Sequence, residues 1–244
     1  MKKTFLHQAL PVFFAAIGLV ACSANADEAA IRKSFQEKMP EAKLDKVTKT
    51  DYNGLYEVLI QGQIVYTDAK GTFFIDGNVI DFKTGANVTE ARKAELTRID
   101  FSSLPLDLAI KAVKGNGSRK MAVFSDPDCP FCKRLENELT KVTDVTIYYF
   151  LFPIDSLHPN ARDKAKAIWC SPDRLKAWND YMLNGVQPTA ATTCETPLAK
   201  IDSLGQKFRI NGTPTIYFTN GHKVPGAVPA AQLDKMLSAS AASK

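Results

Sequence analysis

The chain has 244 residues, 45% of them apolar and 23% charged. That composition excludes a disordered chain and suits one or two globular domains. No apolar run reaches the ~18 residues of a membrane-spanning helix, and a net charge of +5 spread along the sequence offers no concentrated basic patch for nucleic acid. The cysteines number five, so at least one sulfur stays outside any intramolecular disulfide.

Residues 1–26 read as a secretory leader. Lys2 and Lys3 precede an apolar, uncharged run over 9–20, and Ala24-Asn25-Ala26 fits a small-residue cleavage pattern that would start the mature chain at Asp27. A second signal overlaps it. Leu19-Val20-Ala21-Cys22 resembles a bacterial lipobox, with cleavage before an acylated Cys22 and Ser23 favouring the outer membrane. Either cut lowers the net charge from +5 to +3 and takes Cys22 out of the disulfide pool. Four cysteines then remain for an oxidising compartment: Cys129, Cys132, Cys170 and Cys194.

The spacing of Ile31, Phe35 and Met39 predicts a helix over 28–39. Runs rich in β-branched and aromatic residues predict strands over 55–60, 63–67, 72–76 and 79–82, separated by turn residues as in an antiparallel meander. A unit of about sixty residues, 27–86, buries a small core and gains by pairing with a second copy. Residues 87–100 predict a connector helix with a thin apolar stripe and an Asn87/Glu90 capping box. A further helix is expected over 104–113, before Gly115-Asn116-Gly117-Ser118 breaks the chain.

Beyond this break strands alternate with helices, the pattern of an α/β domain with an inserted helical segment. Strands are expected over 121–124, 145–152 and 215–218, with a short extension at 222–225. Helices are expected from Pro130 and over 161–169, 174–183, 198–208 and 228–237.

The chemistry concentrates at Cys129-Pro130-Phe131-Cys132, where a buried strand gives way to a helix. Pro130 suits the first helical position. Cys129 then sits at the helix N-terminus, where unpaired N–H groups and the dipole favour thiolate, with Lys133 and Arg134 nearby. Phe131, Leu135, Leu139 and Val142 would form the apolar face, and Cys132 would be shielded. With both sulfurs in one turn, Cys129 can attack a disulfide and Cys132 can resolve the mixed disulfide. Half of a zinc site is the weaker reading, because no second C-x-x-C or C-x-x-H supplies the missing ligands and His7, His158 and His222 are scattered. An inert structural disulfide is the other alternative. No metal or cofactor is expected.

Cys170 and Cys194 close a loop of about 25 residues; paired in an oxidising compartment, they stabilise by about 3–4 kcal/mol on the chain-entropy account. Their neighbours Ile168 and Trp169 suggest a buried, inert staple. A second redox pair is the alternative, disfavoured because neither sulfur has a partner two residues away.

A strand–CxxC–helix unit followed by Gly212-Thr213-Pro214 before an apolar strand resembles the thioredoxin fold, which implies a cis Pro214 facing the CxxC and a Thr213 backbone that hydrogen-bonds an extended substrate. The whole set of features resembles the DsbC family of periplasmic thiol:disulfide isomerases: the small β-unit, the 87–100 linker, Phe124-Ser125-Asp126, the CxxC, Ile168-Trp169-Cys170 with Cys194, and Gly212-Thr213-Pro214. The resemblance implies an α+β, cystatin-like dimerisation domain (27–86), a linker region (87–114) and an α/β thioredoxin-like catalytic domain with a helical insertion (115–244). It also implies a V-shaped homodimer, a dithiol kept reduced by a membrane electron donor of the DsbD type, chaperone activity, and misfolded or misoxidised secreted proteins as substrates. Pro130 and Phe131 would join Thr213 and Pro214 in contacting substrate. The Pro130-Phe131 dipeptide departs from the Gly-Tyr often seen in this family and leans toward the Pro-Tyr of the DsbG branch. Two competing functions follow: a DsbG-like reductase of sulfenylated single cysteines, and a non-enzymatic, disulfide-stapled binding lipoprotein.

Overall fold

The computed structural model describes residues 20–242. The basic start and apolar run of the expected leader lie outside the described residues, as does the Cys22 side chain on which the lipobox reading turns. The chain divides into two compact units between Lys93 and Ala94. Among the described residues no helix is long and apolar enough to cross a membrane.

In the first unit a helix, α1 (Val20–Lys38), accompanies an antiparallel sheet of β1 (Leu44–Lys49), β2 (Tyr56–Ile60) and β3 (Gln63–Thr67), in that order. Ile31 and Phe35 of α1 bury against Val47, Tyr56, Val58 and Val65, so the four-residue spacing read from the sequence is the helix's buried stripe. Strand β1 escaped the sequence reading. It is a charged edge strand with one buried residue, Val47, and its register shifts between Leu44 and Lys46. The strands expected over 72–76 and 79–82 reduce to single bridges, Tyr66 to Ile75 and Ile80 to Asn87. Phe73, Phe74, Ile75, Ile80 and Phe82 are exposed there. Apolar and aromatic composition favours extended backbone, but a ladder also needs a partner strand alongside.

Helix α2 (Val88–Leu96) is shorter than the sequence suggested. Asn87 Oδ1 accepts from Glu90 N at 3.0 Å, which is half of a capping box; the Glu90 carboxylate turns to Lys93 Nζ at 3.0 Å. The Thr89 hydroxyl is fully buried, meeting Tyr66 OH at 2.6 Å and accepting from Val79 N at 2.8 Å.

The second unit is built on a five-stranded mixed sheet in the order β4-β6-β5-β7-β8: β4 (Ile110–Lys114), β5 (Arg119–Ser125), β6 (Val145–Leu151), β7 (Thr215–Phe218) and β8 (Lys223–Pro225). β5 runs parallel to β6, and the other pairs are antiparallel. Met121 to Phe124 are all fully buried, because helices and turns cover both faces. Met121, Val123, Ile147, Tyr149 and Ile216 point to one face, which is covered by α3 (Pro130–Leu139), α4 (Ala161–Cys170), α5 (Arg174–Asn184) and α7 (Ala230–Ala242). Ala122, Phe124, Tyr148, Phe150 and Tyr217 point to the other, packed with Phe101, Leu104, and Ile201 of α6 (Leu198–Lys207).

The helix expected over 104–113 is a correction. Leu106–Leu108 is a single 3-10 turn, and Ile110–Lys114 is strand β4, pairing antiparallel with β6. Ile110 and Ala112 are buried while Lys111 and Val113 are exposed, an alternation of period two. Leu106, Ala109, Ile110 and Val113 do have helical spacing, but the ladder to β6 outweighs it.

Ile99 N donates to Gly221 O at 3.1 Å, and Gly221 has φ +79°. A Cβ there would lie 2.1 Å from Ile99 O. Gly221→Ala is expected to cost about 2–3 kcal/mol, read by calorimetry as a fall of roughly 5–10 °C in the unfolding midpoint.

Candidate active site

Strand β5 ends at Ser125, and the turn Asp126-Pro127-Asp128 delivers Cys129 as the N-cap of α3, with Pro130 in the first turn. Cys132 lies inside that turn and is fully buried. Leu135, Leu139 and Val142 fill the core as their spacing predicts, but Phe131 is 58% exposed. It projects from the first turn, beyond the core that the later residues reach, and so leaves the expected apolar face.

The two sulfurs have opposite electrostatics. Cys129 is held well below the ordinary thiol range, down to about 5. A hydrogen bond from Cys132 is the main cause, helped by the Thr213 side chain and by the N–H groups of Cys132 and Phe131, against the effect of burial. Burial is the main cause that pushes the Cys132 thiol far up; its donation to Cys129 adds to this, and Ser125 opposes it. Lys133 places its ammonium 4.7 Å over the Tyr181 ring.

The Thr213–Pro214 peptide is cis. Cys129 Sγ–H donates to Thr213 O at 3.3 Å, so the segment before β7 lies against the first sulfur. Pro214 is buried and Thr213 half-buried. The structure therefore gathers Cys129, Cys132, Thr213, Pro214, Pro130 and Phe131 at one end of the sheet.

Cys170 and Cys194 are disulfide-bonded, with Cα atoms 5.7 Å apart. The buried setting expected for them is corrected: Ile168 and Trp169 are buried, but Cys170 is half-buried and Cys194 exposed. Cys170 is the last residue of α4, where the chain leaves the core, and Cys194 lies in the segment before α6.

Four charged residues, Asp126, Asp128, His158 and Lys164, also meet at the site. Asp128 accepts from Lys164 Nζ at 2.7 Å and from Tyr181 OH, tying α4 and α5 to the residue before Cys129. Burial pushes the Asp128 carboxyl up, and those donors outweigh it and hold it low. Asp126 is fully buried and binds His158 Nδ1 at 2.9 Å. These partners stand 32 residues apart, just past the ends of the adjacent parallel strands β5 and β6. Loops at the carboxyl ends of neighbouring parallel strands meet by topology, and that was the available signal. Among the described residues no cluster of His, Cys, Asp and Glu could hold a metal ion.

Comparison with known proteins agrees with this geometry. Residues 106–241 match the family described as a thioredoxin-like domain, and residues 22–90 match the disulfide bond isomerase protein N-terminal domain. The probable thiol:disulfide interchange protein DsbC of Bordetella parapertussis is 40% identical over 208 residues, 85% of this chain and 73% of that relative. The thiol:disulfide interchange protein DsbC of Escherichia coli K12 is 27% identical over 239 residues, 97% of this chain and 96% of that relative. A solved disulfide interchange protein from Neisseria gonorrhoeae is 52% identical, with a TM-score of 0.55, over 57% of this chain and 99% of that one.

One turn beyond Cys132, Glu136 is buried and accepts from Tyr149 OH at 2.9 Å. Burial pushes its carboxyl up to about 7; the Tyr149 bond and the Lys114 charge oppose the shift. A carboxyl whose folded value exceeds its unfolded one binds more protons in the native state, so its contribution to stability falls as pH rises from the unfolded value toward about 7. Denaturant titrations are expected to show this loss in the native chain and its absence in Glu136→Gln.

Proposed function

We propose a division of labour within a chain that belongs to the DsbC family and is a thiol:disulfide isomerase. The Cys129 thiolate attacks a substrate disulfide, forming a mixed disulfide and expelling a substrate thiolate. That thiolate attacks a second disulfide of the substrate, and a thiolate freed there attacks the substrate sulfur held by Cys129; the new substrate disulfide forms as the mixed disulfide breaks and Cys129 leaves as thiolate, with no net change of redox state. Alternatively Cys132 attacks Cys129 Sγ. This releases reduced substrate and leaves a Cys129–Cys132 disulfide, which a membrane electron donor of the DsbD type would reduce.

The observation that carries the reading is the contrast between the sulfurs: one stabilised as an anion at a helix N-terminus, the other buried and held as a thiol. Thr213 and Pro214, with Pro130 and Phe131, would contact the extended substrate, and Phe131 offers a 58% exposed ring for it. Cys170–Cys194 acts as a structural staple.

The organisation we propose has a leader over 1–26, a dimerisation domain over 27–86, a linker that starts at 87 and a thioredoxin-like catalytic domain; β4 (Ile110–Lys114), expected within the linker, belongs to the catalytic sheet. The chain works in the periplasm as a homodimer on misfolded or misoxidised secreted proteins. The dimer also shields non-native chains, a chaperone activity, and lipid attachment applies if the Cys22 cut is used. A mature N-terminus at Asp27, read by mass spectrometry, rules out the anchor; an acylated Cys22 establishes it.

Cys132→Ala is expected to accumulate mixed disulfides through Cys129 in periplasmic extracts, and Cys129→Ala to abolish reactivation of a scrambled multi-disulfide substrate. An absence of trapped partners would sink the proposed roles. The Pro130-Phe131 dipeptide supports a second reading, reduction of single sulfenylated cysteines. Stronger activity on a sulfenate than on scrambled disulfides would favour it. Alkylation of the reduced chain by iodoacetamide is expected to titrate with a midpoint near 5, set by Cys129.

A further inference from the structure

Asp126 meets both cysteines through its backbone, the sulfur of one and the amide of the other. Its N–H donates to Cys132 Sγ at 3.4 Å, and its carbonyl accepts from Cys129 N at 3.2 Å. Its fully buried carboxylate collects three more donors: Asp128 N at 2.8 Å on Oδ1, and Ile154 N at 2.8 Å and His158 Nδ1 at 2.9 Å on Oδ2. Burying a carboxylate is costly unless such donors satisfy it. Here the donors include an ionisable ring that the exchange chemistry above does not use. That ring is mostly sheltered, its side chain 22% exposed. Its backbone is fixed by His158 N to Ile154 O at 2.9 Å and Ala161 N to His158 O at 3.0 Å.

We propose that His158 is a positioning residue for thiol–disulfide exchange: locked by Asp126, whose carbonyl holds the Cys129 amide, its imidazolium supplies a positive charge beside the attacking residue and adds to the donors that keep its sulfur ionised. Donation from Nδ1 to the carboxylate holds in both charge states of the ring, so the proton that comes and goes is the one on Nε2. The Asp126 hydrogen bond is the largest influence raising the His158 pKa; burial opposes it, and the charges of Asp126, Cys129 and Asp128 add to it. The other acids nearby are engaged elsewhere, Asp128 by Lys164 and Tyr181, and Asp155 and Asp202 by Arg162. Between the Cys129 midpoint of about 5 and the raised His158 value, both partners are charged. Above that window the imidazolium, and its support of the thiolate, is lost. A disulfide-bonded Cys129 carries no charge, so the attraction exists only in the reduced chain.

Linkage makes this measurable without any substitution: whatever His158 does for the thiolate, the thiolate does for His158. An NMR titration of the His158 ring in the full chain is expected to give a higher pKa reduced than oxidised, by roughly half a unit or more. In iodoacetamide alkylation, His158→Gln is expected to raise the Cys129 midpoint by a similar amount, slowing the reaction ~2-fold near pH 5 and ~3-fold well below it. His158→Lys, which keeps a cation, is expected to restore most of that loss. Identical His158 titrations in the two redox states overturn the proposal, and so does an unchanged Cys129 midpoint in a folded His158→Gln chain. If that variant fails to fold, the titration of the unsubstituted chain decides. The proposal rests on Cys129 being the attacking sulfur, but the two ideas fail separately. Missing trapped partners in Cys132→Ala remove Cys129 from the attack, whereas a redox-independent His158 removes only the coupling.

Discussion

A sulfur anion placed in a protein interior must be met by donors, or it reverts to thiol. The first turn of α3 satisfies that demand at Cys129 and denies it at Cys132, although both residues are buried. The inequality is local in origin. Cys129 precedes the helix and faces N–H groups that the helix geometry leaves without carbonyl partners. Cys132 lies one turn in, where its own backbone is engaged and the core surrounds its sulfur. A difference of three positions along the chain becomes a difference in chemistry because a helix end is electrically asymmetric.

The rest of the second unit keeps that turn where it is. The buried central strand β5 delivers Asp126 and Asp128 ahead of the helix, and those acids fasten the turn from two sides. Asp128 reaches Lys164 and Tyr181 in the inserted helices, and Asp126 reaches the loop after β6. The cis Thr213–Pro214 segment closes the third side, with its carbonyl on Cys129 Sγ. The inserted helices therefore do more than cover the sheet: they supply the cation opposite the residue that introduces the CxxC.

What could be read in the sequence was local. The CxxC after an apolar run, Pro130 in the first turn and the Leu135–Leu139–Val142 stripe all lie within fifteen residues, where spacing speaks directly. Edge strands were harder. The sequence suggests a helix at β4 and no element at β1, because an edge strand buries few side chains and carries charges on its open face. The 72–82 region misled in the other direction, with strand-like composition but only single bridges. The setting of Cys170–Cys194 was misjudged because burial of a neighbour says little about a residue at a helix terminus. The Asp126–His158 pair depends on strand order, which has to be inferred from topology rather than from spacing within one segment.

The shielding of Cys132 carries a consequence for timing. In a mixed disulfide the reacting thiol needs an anion to attack, and burial, the main cause that raises Cys132, makes that anion scarce. The Cys129 thiolate, with its low pKa, is at the same time a good leaving group when a substrate sulfur attacks. The two exits from the bound state thus run at different speeds. The inner sulfur behaves as a slow clock, giving a captive polypeptide an interval in which to try other pairings before it is cut loose in reduced form.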